Sequence, residues 1–266
     1  MKRRLGMNSD CYGGVSEETM LGLMKEAGFH NFFTGPKELA KKIAPLKAKA
    51  DELGLEFLFI HAPFDNINSM WLKGDDYKKV YDGMVETIDL ASENGVPIAV
   101  IHASSGWKVP AISDLGLARY DALMEYAAKK KIVLAVENSR AIGNIAYFTE
   151  RYEDNPYVRF CYDCGHEHCF TKTVQWMDIF CEKMVVTHIH DNFGRGAKKT
   201  GMPDLHLLPF DGNFDYAAMM RKLDKYNFSG TLMLEVFSGK HEMYQKMTPK
   251  EFVATAYERI EKVSRL

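Results

Sequence analysis

Residues able to bind a metal or move a proton stand at the ends of short apolar runs throughout this sequence. In order, these closing residues are His61, His102, Glu137, Asp163, the pair His188 and His190, and Glu235. The pair lies in the stretch VVTHIHDNFG, and its two histidines would share one face of a strand because strand side chains alternate between faces. We interpret the recurring pattern as a group of side chains that meet at one site.

The carboxylates are the most informative members of this group. Glu137, Asp163 and Glu235 each follow a buried apolar run, where an ionised carboxylate is costly unless it is paired or bound to a metal. A structural ion pair is the alternative for each, but no Lys or Arg ends a neighbouring run. With His188 they form a hard, oxygen-rich ligand set that suits Mn²⁺, Mg²⁺ or Co²⁺, with Zn²⁺ as an alternative.

Strand-like runs alternate with segments of helical period, which predicts parallel strands buried on both faces. The predicted strands are 4–7, 31–33, 56–61, 98–102, 132–137, 158–163, 185–190 and 231–235. The predicted helices are 16–27, 36–52, 77–94, 113–130, 142–152, 172–182, 213–226 and 248–264. Eight such units over about 250 residues predict an α/β fold, a (β/α)8 TIM barrel, as a single domain over residues 1–266. The alternative is a doubly wound sheet, but GMNSDCYGG after the first strand lacks the GxGxxG pattern.

Local signals support the helix starts. Pro36, after Gly35, is predicted in the first turn of the second helix, and Thr248 with Glu251 forms a predicted capping box with Pro249 at the first helical position.

Two loops are unusually long, and long loops in a compact domain are commonly functional. They span residues 62–76 and 191–212. The second carries Asp204 and His206 as a D-x-H pair, whose alternative role is loop capping. Aromatic side chains that would wall a pocket on this face, or else pack in the loops, are Phe64, Trp71, Trp107 and Phe237.

Composition and charge exclude several classes of protein. The 266 residues are 46% hydrophobic and 26% charged with a net charge of −2, as in a soluble globular protein. That balance disfavours nucleic acid as a partner. The five cysteines are irregularly spaced, and Cys161 and Cys164 would point to opposite faces, which argues against disulfides and a zinc knuckle. MKRRLGMNSD lacks the apolar core of a signal peptide and no run is long enough to span a membrane, so we expect a cytoplasmic protein.

Seven motifs, in order along the chain, resemble the xylose-isomerase-like TIM-barrel superfamily. They are IHAPF at 60–64, IHAS at 101–104, VEN at 136–138, YDCGH at 162–166, HIHDN at 188–192, DLHLLPFDGNFD at 204–215 and LEVF at 234–237. This superfamily contains sugar and sugar-phosphate isomerases and epimerases together with the zinc AP endonucleases.

The resemblance implies roles for individual residues. Glu137, Asp163, His188 and Glu235 would bind a divalent metal, and the two glutamates would also exchange protons with the substrate. His166 resembles the histidine that holds a substrate oxygen. The AP endonucleases hold three zinc ions with further ligands, and the corresponding residues here are His61, His102, Asp204 and His206. In ketose 3-epimerases an arginine follows the metal histidine by six positions, whereas Arg195 follows His188 by seven.

Our leading hypothesis is a divalent-metal-dependent isomerase or epimerase of a small sugar or sugar phosphate, with proton transfer through a metal-bound enediolate. The alternatives are a zinc-dependent AP endonuclease-like phosphodiesterase, a dehydratase or lyase acting on an inositol-like substrate, and a barrel that binds sugar without catalysis. The expected partner is a small carbohydrate, and the sequence leaves open a homo-oligomer. The predicted substrate-binding residues are His61, His102, His166, His190, His206 and Arg195.

Overall fold

The computed structural model of this protein describes residues 3–196 and 203–266. Its centre is an eight-stranded sheet in which neighbouring strands pair in parallel, in the order β7-β6-β5-β4-β3-β2-β1-β8. The strands are β1 (Leu5–Asn8), β2 (Asn31–Thr34), β3 (Glu56–His61), β4 (Ile98–Ile101), β5 (Val133–Glu137), β6 (Val158–Asp163), β7 (Met184–His188) and β8 (Leu232–Leu234). The predicted (β/α)8 fold is confirmed.

The barrel closes where β8 meets both β1 and the end of β7. β8 pairs with β1 in parallel, with Leu5 opposite Leu232. On the other side a single bridge joins Ile189, one residue beyond β7, to Leu234, and the Ile189 N–H donates to the carbonyl of Met233 at 2.8 Å. Because the sheet closes on itself, all strand carboxyl ends reach one rim.

Helices connect the strands and cover the barrel. They are α1 (Glu17–Ala27), α2 (Leu39–Leu53), α3 (Tyr77–Glu93), α4 (Asp114–Lys130), α5 (Ile142–Arg151), α6 (Cys164–Phe170), α7 (Trp176–Phe180), α8 (Tyr216–Lys225), α9 (Glu242–Gln245) and α10 (Pro249–Ser264). Short 3-10 helices lie at Ile67–Trp71, Cys181–Lys183 and Ser238–Lys240. None of the helices within the described ranges is long and apolar enough to cross a bilayer.

Side-chain caps explain where several helices begin. The predicted capping box of α10 is confirmed, since Thr248 and Glu251 each accept the backbone N–H of the other. The predicted start of α2 at Pro36 is wrong, because Glu38 takes a left-handed φ of 51° and the helix begins only at Leu39.

Two hydrophobic cores hold the barrel. The larger fills the space between the sheet and the helices. The smaller lies inside the barrel and is built by Phe33, Phe59, Ile98, Val100, Ala135, Cys161, Val186 and Met233. Cys161 lies in the inner core and Cys164 in the outer one, as their opposite parity predicts. All five cysteines are free.

Candidate metal centre

The carboxyl ends of the strands bring almost every predicted site residue together. His61, Glu137, Asp163 and His188 are the last residues of β3, β5, β6 and β7. His102 and Glu235 immediately follow β4 and β8. Arg195 is the exception: its side chain is exposed in the loop after β7, so the structure does not place this predicted substrate-binding residue at the site. Lys198 and Lys199, which neighbour it in sequence, lie outside the described residues.

Four of these residues converge on one point, and we call them the central set: Glu137, Asp163, His188 and Glu235. His188 Nδ1 lies 3.4 Å from Oε2 of Glu137, 3.3 Å from Oε2 of Glu235 and 3.8 Å from Oδ2 of Asp163. One potential ligand atom from each residue lies within 4.8 Å of the others. Three carboxylates and an imidazole at this spacing form a suitable cage for a divalent cation.

His188 is the buried centre of this set. Its side chain is fully buried, and neither ring nitrogen makes a well-oriented hydrogen bond in the described chain, although three carboxylate oxygens lie 3.3 to 3.8 Å from Nδ1. The ring is held by stacking, with centroids 5.1 Å from Phe33 and 5.8 Å from His61. Because buried polar atoms are costly without well-oriented hydrogen bonds, an imidazole nitrogen that faces three carboxylates in this way fits a site that a cation completes.

A second group, the His61 set, shares Glu137 and adds His61 and His102. The Nε2 atoms of the two histidines lie 3.3 Å and 3.1 Å from Glu137 Oε2. His61 Nδ1 donates to the carbonyl of Ala62 at 2.8 Å, which leaves its Nε2 free to act as a ligand. Phe64 stacks on His102 with centroids 4.4 Å apart, so this predicted pocket wall does lie at the site.

A third group, the loop set, consists of His166, Asp204 and His206. Asp204 Oδ2 lies 3.3 Å from His166 Nε2 and 3.2 Å from His206 Nε2, and its Oδ1 is buried without a hydrogen-bond partner in the described chain. The His206 Nδ1 atom donates to the carbonyl of Glu235 at 3.0 Å. His206 takes a left-handed φ of 47°, a backbone conformation that is uncommon for residues with a side chain. The D-x-H pair thus does more than cap its loop.

His190 lies between the central set and the loop set. Its Nε2 is 3.2 Å from Asp163, and its ring stacks on His206 with centroids 4.0 Å apart. The close approach of His190 explains a glycine in the motif DCGH, since a Cβ on Gly165 would lie 1.9 Å from the His190 ring. As predicted from their spacing, His188 and His190 point the same way, because both rings approach Asp163.

Asp163 and Asn138 organise the start of α6. Asp163 Oδ1 accepts the backbone N–H of His166 at 2.6 Å and so caps the helix. The Asn138 side chain bonds both backbone groups of Asp163, at 2.7 Å and 2.8 Å. Sequence reasoning did not assign Asn138 a role, although it follows Glu137 in the motif VEN. It is the residue that joins the ends of β5 and β6.

Asp191 anchors the loop that carries Asp204 and His206. Its carboxylate accepts the backbone N–H groups of Asn192, Phe210 and Phe214 at 2.9 Å, 2.9 Å and 3.1 Å. This carboxylate therefore holds the turn that begins the loop.

The other three aromatic residues that were predicted to wall the pocket differ in their contacts and exposure. Trp71 is buried against Tyr120, and its indole N–H donates to the carbonyl of Ala103 at 2.7 Å, so of its two predicted roles it takes that of packing within the loops. Phe237 contacts His206 edge-on at 5.4 Å, and Trp107 is 66% exposed.

Acidic side chains and histidines alternate in the centre, and each shifts the pKa of its neighbours. Burial raises the pKa of Glu137, but His188 and His102 outweigh it and hold that pKa well below its ordinary value. Burial lowers the pKa of His206, but the negative charges of Asp204 and Glu235 raise it by more than burial lowers it. The resulting pKa is about 9. The pKa of His102 is lowered, because burial outweighs the attraction of Glu137. Glu137 and the histidines with raised pKa values, His166, His188 and His206, therefore favour each other's charged forms.

In the metal-free protein, we expect the free energy of unfolding to fall as the pH rises from about 6.5 to about 9. A folded-state pKa of about 9 for His206 exceeds the ordinary 6.5, so its stabilisation is complete below pH 6.5 and is lost as the pH passes 9. That shift corresponds to roughly 3 kcal/mol. Urea unfolding in chelator across this range measures it, and His206→Gln is expected to flatten the dependence. An identical slope in both proteins would contradict the assignment.

Comparison with known proteins supports the architecture. A profile of the xylose isomerase-like TIM barrel family matches residues 21–261. An uncharacterized protein of Sinorhizobium fredii is 28% identical over 162 residues, which cover 56% of this chain and 50% of that protein. The matched segment therefore spans half the length of that relative.

Solved structures share the fold over nearly the whole chain. A D-psicose 3-epimerase with D-tagatose from Clostridium cellulolyticum is 12% identical with a TM-score of 0.75, covering 98% of each chain. An IolI protein with a zinc atom is 16% identical with a TM-score of 0.75, again covering 98% of each chain.

Proposed function

Since the chain belongs to the xylose isomerase-like TIM barrel family, we propose that it is a divalent-metal-dependent isomerase or epimerase of a small sugar or sugar phosphate. The observation that carries the proposal is the central set, in which Glu137 and Glu235 approach the same imidazole nitrogen of His188 at 3.4 Å and 3.3 Å. Two carboxylates facing one coordination point suit proton removal and return at a carbon beside a carbonyl.

Glu137, Asp163, His188 and Glu235 would hold the cation, which when bound supplies a Lewis acid for a carbonyl oxygen. Glu235 removes the proton alpha to the carbonyl, because its side chain is 13% exposed and therefore reaches the mouth of the site. Glu137 is 1% exposed and approaches the same nitrogen of His188, and it returns a proton to the substrate carbon. His166 and His190 donate to the neighbouring substrate oxygens.

The test is proton exchange. Protein loaded with Mn²⁺ is incubated in D₂O with a panel of ketoses, aldoses and their phosphates, and we expect deuterium at the alpha carbon of at least one of them. Loss of water from the sugar would instead identify a dehydratase. Metal-loaded protein that exchanges no proton across the panel would refute the proposal.

A second candidate, a zinc-dependent phosphodiesterase of the AP endonuclease type, is favoured by one specific observation. Both oxygens of Glu137 face histidines, with Oε2 toward His61, His102 and His188 and Oε1 3.0 Å from His166 Nδ1. A carboxylate enclosed in this way suits a ligand shared between metal ions better than a base. This candidate predicts about three zinc ions per chain and nicking of an abasic duplex, whereas one ion per chain without nicking would exclude it.

A further inference from the structure

Arg140 is a cation that the proposed chemistry does not use. It lies three residues beyond Glu137, in the loop between β5 and α5. Its guanidinium carbon is 3.7 Å from the ring centroid of Phe170 and 4.5 Å from that of Trp107. The two rings meet edge to face at 84°, so they hold the guanidinium in an aromatic corner.

The N–H groups of Arg140 are not satisfied by the rings. A guanidinium that stacks on aromatic faces directs its donors outward in its own plane. Arg140 Nε is buried and has no hydrogen-bond partner among residues 3–196 and 203–266. A buried charged donor without an acceptor is costly, so the Nε–H of Arg140 is suited to an acceptor that the described chain does not supply.

Another stacked arginine in the same protein shows the contrast. The guanidinium carbon of Arg119 lies 3.4 Å from the ring centroid of Tyr77, much as Arg140 lies on Phe170. However, Arg119 Nη1 donates to the carbonyls of Ser69, Met70 and Leu72 at 3.1 Å, 2.8 Å and 2.8 Å. Arg119 is a structural residue whose donors are used within the fold. Arg140 has the same aromatic support without those acceptors.

Arg140 is also close to the metal centre. The Phe170 ring that supports it lies 5.2 Å from the ring of His166, a member of the loop set. Burial lowers the pKa of Arg140, and the charge of Asp204, another member of that set, opposes the shift. The guanidinium therefore stands at the edge of the site nearest the loop set.

We propose that Arg140 binds an oxyanion, a phosphate or a carboxylate, on a carbohydrate whose reacting end is held at the metal centre. A planar fork of donors matches either group in a bidentate manner. Arg140 then takes the substrate-binding role that was predicted for Arg195, which lies exposed on a different loop. The choice of a carbohydrate rests on the function proposed above, whereas the anion site rests on Arg140 alone.

The experiment measures dissociation constants by calorimetry on the metal-loaded protein. The probes are D-glucose 6-phosphate, D-glucuronate and D-glucose, which carry a phosphate, a carboxylate or a neutral hydroxyl at the same carbon. We expect at least one anionic probe to bind about tenfold or more tightly than glucose. Arg140→Met is expected to remove that preference, to leave glucose binding within about twofold and to leave the metal content unchanged. The two anionic probes distinguish a sugar phosphate from a sugar acid.

Two further variants serve as controls for the anion-binding role of Arg140. Arg140→Lys keeps the charge but loses the bidentate fork, so an intermediate preference is expected. Arg195→Met removes an exposed arginine from another loop and is expected to change nothing. A preference for anions that survives in Arg140→Met, or the lack of any such preference in the unmodified protein, would overturn the proposal. If no sugar exchanges a proton in D₂O while the Arg140-dependent preference persists, the isomerase function fails and the anion site stands.

Discussion

Replacing Glu137 with Gln is expected to reduce proton exchange by about 10³-fold, the upper end of what loss of one oriented electrostatic group costs, and to lower the metal content. Glu137 belongs to both the central set and the His61 set, so one substitution weakens two groups of ligands. An amide of the same shape carries no charge and places N–H groups against histidines that are 3.0 to 3.4 Å away. Deuterium incorporation and elemental analysis measure the two effects.

Two matched carboxylates give the controls. Glu56 begins β3 at the opposite end of the barrel, where its carboxylate accepts the Asn31 side-chain N–H at 2.6 Å, so Glu56→Gln should change neither activity nor metal content. Glu235→Gln should abolish exchange but spare the His61 set, which contains no Glu235. Full activity in Glu137→Gln, with metal bound as in the unmodified protein, would rule out the central set as the reacting site.

Removal of the metal is expected to lower the melting temperature by about 10 °C. A ligand present at about a thousandfold above its dissociation constant stabilises the folded state by about 4 kcal/mol, and each kcal/mol moves the melting point of a chain of this size by about 2–4 °C. The centre gathers buried acids and imidazoles whose charges a cation would balance. Thermal melts with and without chelator measure the shift.

Adding back single metals identifies the preferred ion. Mn²⁺, Mg²⁺, Co²⁺ and Zn²⁺ are returned separately to the chelated protein, and the ion that restores most of the melting temperature should also restore most activity. Glu137→Gln serves as the control, since it should gain much less from any of them. A chelated protein that melts at the original temperature would show that these residues hold no stabilising ion.

Much of the fold was predictable because its sequence signals are local and repeated. Each strand is a short apolar run with a polar residue at its carboxyl end, and a barrel places all such ends on one rim. Glu137, Asp163, His188 and Glu235 could therefore be assigned to one region before their distances were known. The spacing of His188 and His190 also indicated a shared face, because side chains alternate along a strand.

Other features depend on contacts that no local pattern reveals. Helix α6 has the sequence CGHEHCF, which lacks an apolar period and forms because Asp163 caps it. The predicted helix at 172–182 is observed as the short α7 followed by a 3-10 turn. The role of Arg140 depends on Phe170 and Trp107, which lie about thirty residues from it on either side. Only the folded chain shows these three side chains together.

The residues of the candidate centre come from two kinds of backbone, the ends of the barrel strands and one long loop. The central set stands at strand ends that are held in place by the pairing of the whole barrel. Asp204 and His206 arrive on a loop that is fastened at its base by Asp191. Under the metal-dependent function proposed above, exchanging that one loop would change how many ions the site can hold without altering a strand. The number of bound ions would then be set by one replaceable loop, while the central set stays with the barrel.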